Sequence, residues 1–553
     1  MISALTLSVQ AKPETGSPAP DSTKKMPRAI ADKTPHFQLL PDRWRDVQPP
    51  PYQLNVQGNI WDPYNRNILK GDYPIIGQDI FFIFTGKTNT IIETAAVPTP
   101  SGISTTNPNS SGFFGKSGRS MVRENISLSF EFYKGNTAYK PRDIEIKVTT
   151  ALNLNYANVI ENNNLNTDPG QGPLRYDSFL AFQELLVEKH LFDLSDNYDF
   201  VSVKAGIQPF NSDFRGLIFH DTNLGVRLLG SLASNRYQYN FAYFRMLEKD
   251  TNSELNMITR NRNQDVFLLN LYRQDFLTLG YTGQLSFHYN HDKPSTYVDD
   301  NGVPVRGRTR VGVNSQPHDI KSYYLGWAGD GHWGRFNVSH AFYQVFGRDS
   351  YNPIADGPIS INAQLATFEL SVDQNWMRFR TSALYASGDR NIFDNKGQGF
   401  DSIVDNSFFA GGSVSYWNTQ NIGIFGATLT GKASMLPNLR TSKLEGQSNF
   451  VNQGLFLLNA GWEGDFTPKA RMILNASYVR FANVSSISSL VNQQIRNAVG
   501  IDYGIGLQYR PFLNNNAKFI LSVSALTPLA GFTDLFETRM TQAAFFSDFI
   551  FTF

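Results

Sequence analysis

Between Asn125 and Phe132 the chain alternates strictly. Ile126, Leu128, Phe130 and Phe132 fall at one parity, and Asn125, Ser127, Ser129 and Glu131 at the other. Side chains of an extended strand point to opposite faces with period two, so the stretch predicts a β-strand with one apolar face. Asp143 to Leu154 repeats the pattern, setting Ile144, Ile146, Val148, Leu152 and Leu154 against Glu145, Lys147, Thr149 and Asn153. The same reading places strands near Asp79, Val122, Arg142, Ser178, Tyr198, Asp221, Arg236, Asp265, Leu279, Ile320, Trp333, Ile359, Trp376, Gln453, Arg471, Gly500, Ala517 and Ala544. That is roughly 18 strands. The last, Ala544 to Phe553, puts Phe549, Phe551 and Phe553 on one face and Asp548, Ile550 and Thr552 on the other. A chain that stops on such a strand leaves an open edge unless it pairs with an earlier strand, most simply by closing a barrel.

The connections alternate in length. Short ones fall at Lys134 to Pro141, Ser195 to Asn197, Ser234 to Asn235, Gln274 to Phe276, Gly329 to Gly331, Val372 to Asn375, Thr467 to Pro468 and Leu513 to Asn516. Long ones fall at Ile91 to Met121, Ala157 to Tyr176, Leu247 to Gln264, His291 to His318, Gly347 to Pro358, Gly388 to Asn452, Ala482 to Asn497 and Thr527 to Thr541. Along an antiparallel meander this puts the tight turns at one end and the long loops at the other. The predicted fold is therefore all-β: a transmembrane antiparallel up-and-down barrel of about 18 strands, with short periplasmic turns and long extracellular loops.

Tyr237, Tyr239, Phe241 and Tyr243 oppose Gln238, Asn240 and Ala242. Leu279, Tyr281, Leu285, Phe287 and Tyr289 oppose Thr282, Gln284, Ser286 and His288, and Tyr503, Ile505, Leu507 and Tyr509 oppose Asp502, Gln508 and Arg510. The apolar sets read as a lipid-facing belt. A Lys or Arg on that face at mid-depth costs about 2–4 kcal/mol, so charges on the strands should point inward. That rule assigns Glu131, Glu145, Lys147, Lys204, Arg227, Arg378, Arg380, Asp502, Arg510 and Lys518 to the lumen. Basic groups are in slight excess there, which favours anionic solutes. The competing reading is that these charges pair across neighbouring strands and only solvate the wall. The strands near Ser178 and Trp333 do not alternate cleanly.

Composition narrows the class. Hydrophobic residues make up 41% of the 553 residues, mean hydropathy is −0.31, and no apolar run reaches the length of a membrane helix. A barrel tolerates this, because only alternate residues meet lipid. Aromatic residues are 13%, as expected of interfacial girdles. The chain has no Cys, which removes disulfides and thiolate chemistry, and a net charge of +1 gives no reason to expect nucleic acid. Residues 1–11 read as the remainder of a signal peptide, with V-Q-A before Lys12. Residues 12–38 read as a disordered periplasmic lead, 39–77 as an irregular Pro- and aromatic-rich segment that plugs the lumen or caps its mouth, and 78–553 as the barrel.

No catalytic residue is assigned, for the chain carries no nucleophile motif, phosphate-binding glycine loop or metalloprotease signature. His288 and His291 read as polar groups at a rim, not as metal ligands. Asp389, Asp394, Asn395 and Asp401 form an oxygen-rich run that suits either calcium or ordinary turns. No cofactor is expected.

The stretches Val203 to Asp221 (VKAGIQPFNSDFRGLIFHD), Tyr385 to Asp401 (YASGDRNIFDNKGQGFD) and Leu439 to Phe450 (LRTSKLEGQSNF) resemble a family of bacterial outer-membrane proteins, itself distantly similar to alginate-export porins. The resemblance implies an 18-stranded barrel that passes solute across the outer membrane. Glu131, Glu145 and Asp502 interrupt the basic set that an alginate lumen carries, so no substrate and no binding residue is carried over. The aromatic ending at Phe553 likewise resembles the C-terminal signature of outer-membrane barrels, which implies recognition by the barrel-assembly machinery. The expected function is a porin for small polar or anionic solutes, oligosaccharides among them, with outer-membrane lipid and the solute as partners. The alternatives are a sheath around a partner protein such as a multihaem cytochrome, and an outer-membrane enzyme.

Overall fold

The computed structural model describes residues 67–99, 104–109, 114–135, 141–162, 164–166, 168–197, 199–302, 304–306, 316–407, 409–420 and 445–553. The expected signal remainder, the disordered lead and most of the 39–77 segment lie outside these residues. In chain order the wall strands are β1 Ile80–Ala95, β2 Arg119–Lys134, β3 Ile144–Val159, β4 Leu174–Asp193, β5 Phe200–Asn211 and β6 His220–Leu232. They continue as β7 Tyr237–Lys249, β8 Asn256–Arg273, β9 Tyr281–Asp292, β10 Ile320–Trp333, β11 Phe336–Asn352 and β12 Gly357–Gln374. The last six are β13 Met377–Ala386, β14 Leu455–Thr467, β15 Ala470–Arg480, β16 Ala498–Tyr509, β17 Ala517–Pro528 and β18 Gln542–Thr552.

Nineteen strands share one sheet. One is the two-residue Lys396–Gly397, a loop segment lying parallel along β12, which leaves eighteen antiparallel strands in the wall. β18 pairs with β1 from Thr552 opposite Lys87 to Ala544 opposite Ala95, and this closes the barrel. Closure removes the edge that the last strand would otherwise expose. Part of β1 extends past the end of β18, and there the described part of the 39–77 segment takes over. The Phe84 amide donates to the Leu69 carbonyl at 2.8 Å, and Lys70 bridges Ile83. The ammonium of Lys70 sits 4.1 Å from the centre of the Phe553 ring, whose backbone N–H donates to Gly86 at 2.8 Å.

The predicted faces hold. Leu128, Phe130, Phe132, Ile146, Leu154, Phe241, Leu285, Phe287, Tyr503, Ile505 and Leu507 are exposed on the outside, while Asn153, Ala242, Gln284 and Asp502 are buried on the inside. One irregularity is explained and two readings need correction. The strand near Ser178 loses its alternation because β4 carries a bulge: Thr149 pairs with Glu184 but Thr150 with Phe182, so one extra residue flips the parity. The turn expected at Gly329 to Gly331 lies instead at 334–335. Those two glycines serve packing within β10, where a Cβ on Gly329 would stand 1.9 Å from the Tyr281 hydroxyl and one on Gly331 2.1 Å from the Gly280 carbonyl. Segregation of connection length is also weaker than expected. At the loop end, 212–219 and 353–356 are as short as turns, because β5, β11 and β12 run further than their patterns suggest.

Candidate functional site

The inner wall at the turn side is built from paired charges. Arg142 bonds Glu131 and lies 2.8 Å from Glu145, Lys147 lies 2.8 Å from Glu184, and Lys204 lies 2.7 Å from Glu188. Further round, Arg378 donates to Asp373 at 3.0 Å and Arg380 to Glu463 at 3.1 Å. Arg471 bridges Glu463 at 3.3 Å and Asp465 at 2.7 Å. These side chains are partly exposed, as a wall wetted from the turn side requires. Cross-strand opposite charges stabilise by only a few tenths to about 1 kcal/mol where water reaches them. The pairing reading therefore describes the wall. Balance fails in two places: Arg227 sits directly across from Lys204, so two cations share Glu188, and Lys87, Arg123 and Lys518 surround the single carboxylate of Asp548. Arg227 donates to Asn240 at 2.7 Å and lies over the Phe210 ring at 4.6 Å.

Toward the loop end the inner wall changes character. Val266, Leu268, Tyr343, Val345, Ile361, Ala363, Leu365 and Leu457 point inward and are buried. They are covered by two loops folded into the barrel. The 212–219 loop is held by Asp213, whose carboxylate accepts the backbone N–H groups of Arg215 at 2.9 Å, Leu217 at 3.0 Å and Ile218 at 3.1 Å. From that loop Arg215 reaches the wall near β10 to β12, donating to Glu369 at 2.8 Å and Ser339 at 3.0 Å, with Asp330 at 3.7 Å. Glu369 also lies 3.9 Å from Arg380.

The described parts of the 387–454 connection, residues 387–407, 409–420 and 445–454, supply the second layer. The first leg pairs with the 212–219 loop: the amides of Ile403 and Val404 donate to Ile218, and that of Asn406 to Gly216. Tyr324 donates its hydroxyl to Asp401 at 3.0 Å, and Phe219, Phe400, Ile403 and Phe450 fill the space between. The next leg carries α1, Tyr416–Thr419, against the inner wall of β16 and β17. Asp502 accepts the Tyr416 amide at 2.9 Å and the Ser415 hydroxyl, and Ser522 donates to Ser413 at 2.9 Å. Gly504 makes the close approach possible, since a Cβ there would stand 1.9 Å from the Val414 carbonyl. Tyr416 then reaches Ala96 on the first loop at 2.6 Å.

Of the sequence-predicted lumen residues, Glu131, Glu145, Lys147, Lys204, Arg227, Arg378, Arg380 and Lys518 face inward. Asp502 faces inward but is fully covered by α1, so it anchors a loop and does not line a bore. Arg510 lies one residue past β16, in the turn, where its amide donates to Lys469. His288 and His291 point to opposite sides of the wall, as their odd spacing requires. His288 is buried against Tyr324 and Tyr343, and His291 pairs with Asp319 outside at 3.0 Å, so neither is a simple rim group. Asp389 accepts the amides of Asn391 and Gln398, Asp394 that of Lys396, and Asp401 those of Ser402 and Asn449. Each carboxylate closes a turn, and among the described residues these three do not converge on a common point.

Sequence reasoning missed Arg215, Asp213 and Glu369, because the 212–219 segment was not recognised as a loop. The signal was present: two of the stretches that carry the family resemblance fall on this loop and on the first leg of the 387–454 loop.

The loop end is tied externally as well. Glu161 is buried and accepts hydrogen bonds from the amides of Thr105 at 2.8 Å and Lys116 at 2.7 Å, from the hydroxyls of Ser104 and Thr105, and from Thr106. Burial alone would raise its pKa, but these bonds outweigh burial and hold it at about 2. Glu445 is the opposite case. Burial, with Asp299, Asp300 and Glu248 nearby, pushes it up to about 8, while Thr251 donates to it at 2.6 Å.

No family model matches the chain, and no curated relative does. Among solved structures, Pseudomonas aeruginosa OccK9 (OpdG) is similar with a TM-score of 0.46 at 9% identity, over 85% of this chain and 98% of that one. OccK5 (OpdH) of the same species gives 0.42 at 11% identity, over 85% and 98%. A BenF-like porin from Pseudomonas fluorescens gives 0.45 at 8% identity, over 85% and 98%. Superpositions this loose decide nothing about function, so the reading below rests on the chain's own geometry.

Proposed function

We propose that the chain is an outer-membrane channel passing small polar or anionic solutes by passive diffusion, its bore set by the 212–219 and 387–454 loops. The observation that carries this is a closed barrel with an apolar outside, a wetted ion-paired inner wall at one end, and loops anchored across the interior at the other. An apolar belt of this kind is stable in lipid, where every backbone group must be paired within the wall. Pairing of many wall charges supports weak charge selectivity, tilted toward anions by Lys204 with Arg227 and by Lys87, Arg123 and Lys518 around Asp548. Passage of oligosaccharides and recognition of Phe553 by the assembly machinery rest on the sequence resemblance. Loops folded into the interior argue against a sheath, which needs an empty bore for its partner.

The test is single-channel recording of purified, heat-modifiable protein in a planar bilayer under a salt gradient. Small discrete conductance steps with a reversal potential slightly on the anion side are expected. A folded barrel that inserts and stays silent would refute the open-channel reading.

A further inference from the structure

On the outside of the barrel, register places Arg245, Asp265, His291, Lys321, Arg348, Ser360 and Lys396 in one row at the loop end. The row nearer mid-depth is Tyr243, Phe267, Tyr289, Tyr323 and Phe346, an aromatic girdle in which Tyr289 and Tyr323 stack at 4.8 Å. Aromatic rings at this position mark the boundary between acyl chains and headgroups. The charged row above it therefore lies at headgroup depth.

Its two halves differ. Arg245 is neutralised by Asp265 at 2.8 Å, and His291 bonds Asp319 at 3.0 Å. Lys321, Arg348 and Lys396 are exposed, and no carboxylate among the described residues lies within ion-pair distance of any of them. The carboxylates nearby are turned elsewhere: Asp319 to His291 and Lys293, Asp349 inward to His318, and Asp394 to the Lys396 amide. Beside Lys321 and Arg348 lies a cleft of about 530 Å³ that Ser350, Ser360 and Asn395 also line, together with Asp319, which is bonded to His291, and Asp349, whose carboxylate turns inward to His318.

Directly below this cleft the apolar belt is interrupted. Where other strands present Phe241, Leu269, Phe287 and Leu325, β11 and β12 present Gln344 and Gln364, with Asn362 one row above them. These amides bond one another, Gln364 to Gln344 at 3.1 Å and Gln344 to Asn362 at 2.9 Å, and Asn362 is exposed. Amides on a lipid face are costly unless something polar meets them.

We propose that this cleft binds the phosphate-bearing headgroup of a glycolipid in the loop-side leaflet. Phosphate would lie between Lys321 and Arg348, which stand on adjacent strands about 5 Å apart. Lys396, two strands further, takes a second anionic group, and Asn362 with the two glutamines meets hydroxyls or amides of the sugar. The proposal rests on the membrane-spanning reading above. Charge at an interface attracts anionic lipid by about a factor of five per cation, so removing two cations should weaken retention tenfold or more.

The test uses the full chain in detergent with native mass spectrometry. The probes are a phosphorylated outer-leaflet glycolipid, its enzymatically dephosphorylated form and inorganic phosphate. Wild type should retain the phosphorylated lipid and lose at least tenfold affinity for the dephosphorylated form. Millimolar inorganic phosphate should not displace the lipid. Lys321→Gln/Arg348→Gln should lose at least tenfold for the phosphorylated lipid alone. Equal retention by wild type and variant, equal retention of both lipid forms, displacement by inorganic phosphate, or occupation of the face by a second copy of the chain would each overturn the site. Channel recording of the same variant in phospholipid bilayers separates the two readings. Normal conductance with no lipid discrimination sinks only the lipid site, and failure of the heat-modifiable wild type to insert sinks the channel.

Discussion

At the turn end of the lumen the wall is Arg378 with Asp373 and Arg471 with Asp465, half-exposed pairs that water can reach, and the more buried pair Arg380 with Glu463. At the loop end the same strands present Leu365, Leu384 and Leu457 inward, in one buried cluster with Phe400, Ile403, Val404 and Phe450. The same barrel thus serves two tasks along its axis. A charged wall keeps an aqueous path and holds a loop only through discrete polar contacts, as Glu369 holds Arg215. An apolar wall pulls loops in and fixes them, at roughly 25 cal/mol for each Å² of apolar surface removed from water. In the proposed channel the narrowest part lies where the inner wall turns apolar.

The largest expected effect comes from breaking the apolar end. Phe219 is fully buried among Phe210, Phe244 and Val404. Phe219→Ala should cost about 3–5 kcal/mol of loop docking and expose 403–406 to protease. The matched change at the charged end, Arg378→Ala, should leave the proteolysis pattern unchanged and cost less than about 1 kcal/mol. Equal sensitivity at both ends would dissolve the contrast.

Arg215 joins the two ends, since it leaves a loop to meet Glu369, which Arg380 also approaches. Arg215→Ala should cost about 1–3 kcal/mol of loop anchoring. Because the wall then loses one cation while Glu369 keeps only the more distant Arg380 at 3.9 Å, the reversal potential should move toward cations. An unmoved potential would place Arg215 away from the ion path.

Two loop carboxylates sharpen the contrast through pH. Glu161 has its folded pKa depressed to about 2, so its stabilisation is complete above its ordinary value of 4.5 and is lost as pH falls through about 2. Amide exchange at Thr105 and Lys116, corrected for intrinsic rate, should stay slow at pH 5 and quicken toward pH 2. Glu161→Gln should already be quick at pH 5. Glu445 is raised to about 8, so its contribution is present below 4.5 and lost as pH rises through about 8. Protection around Thr251 should fall between pH 5 and 8, and Glu445→Gln should flatten that fall.

The outer face was legible because lipid imposes one rule on every strand: Leu128, Phe241 and Tyr503 could be assigned from parity alone. A bulge such as that at Gln183 breaks parity without leaving a mark in composition. The inner face was half legible. Arg380 and Lys204 had to point inward, but nothing in the sequence separates Asp502, capped by Ser415 and Tyr416, from a carboxylate facing water. Inward apolar residues such as Val345 and Leu365 read as weak alternation. Their meaning depends on a loop distant in sequence.

The most direct test of the central claim is the single-channel conductance of a variant in which residues 389–452 are replaced by a short Gly/Ser linker, compared with wild type. A bore set by the folded loop predicts a several-fold larger conductance with unchanged heat modifiability. Equal conductance from two equally folded barrels would place the constriction elsewhere and contradict the account.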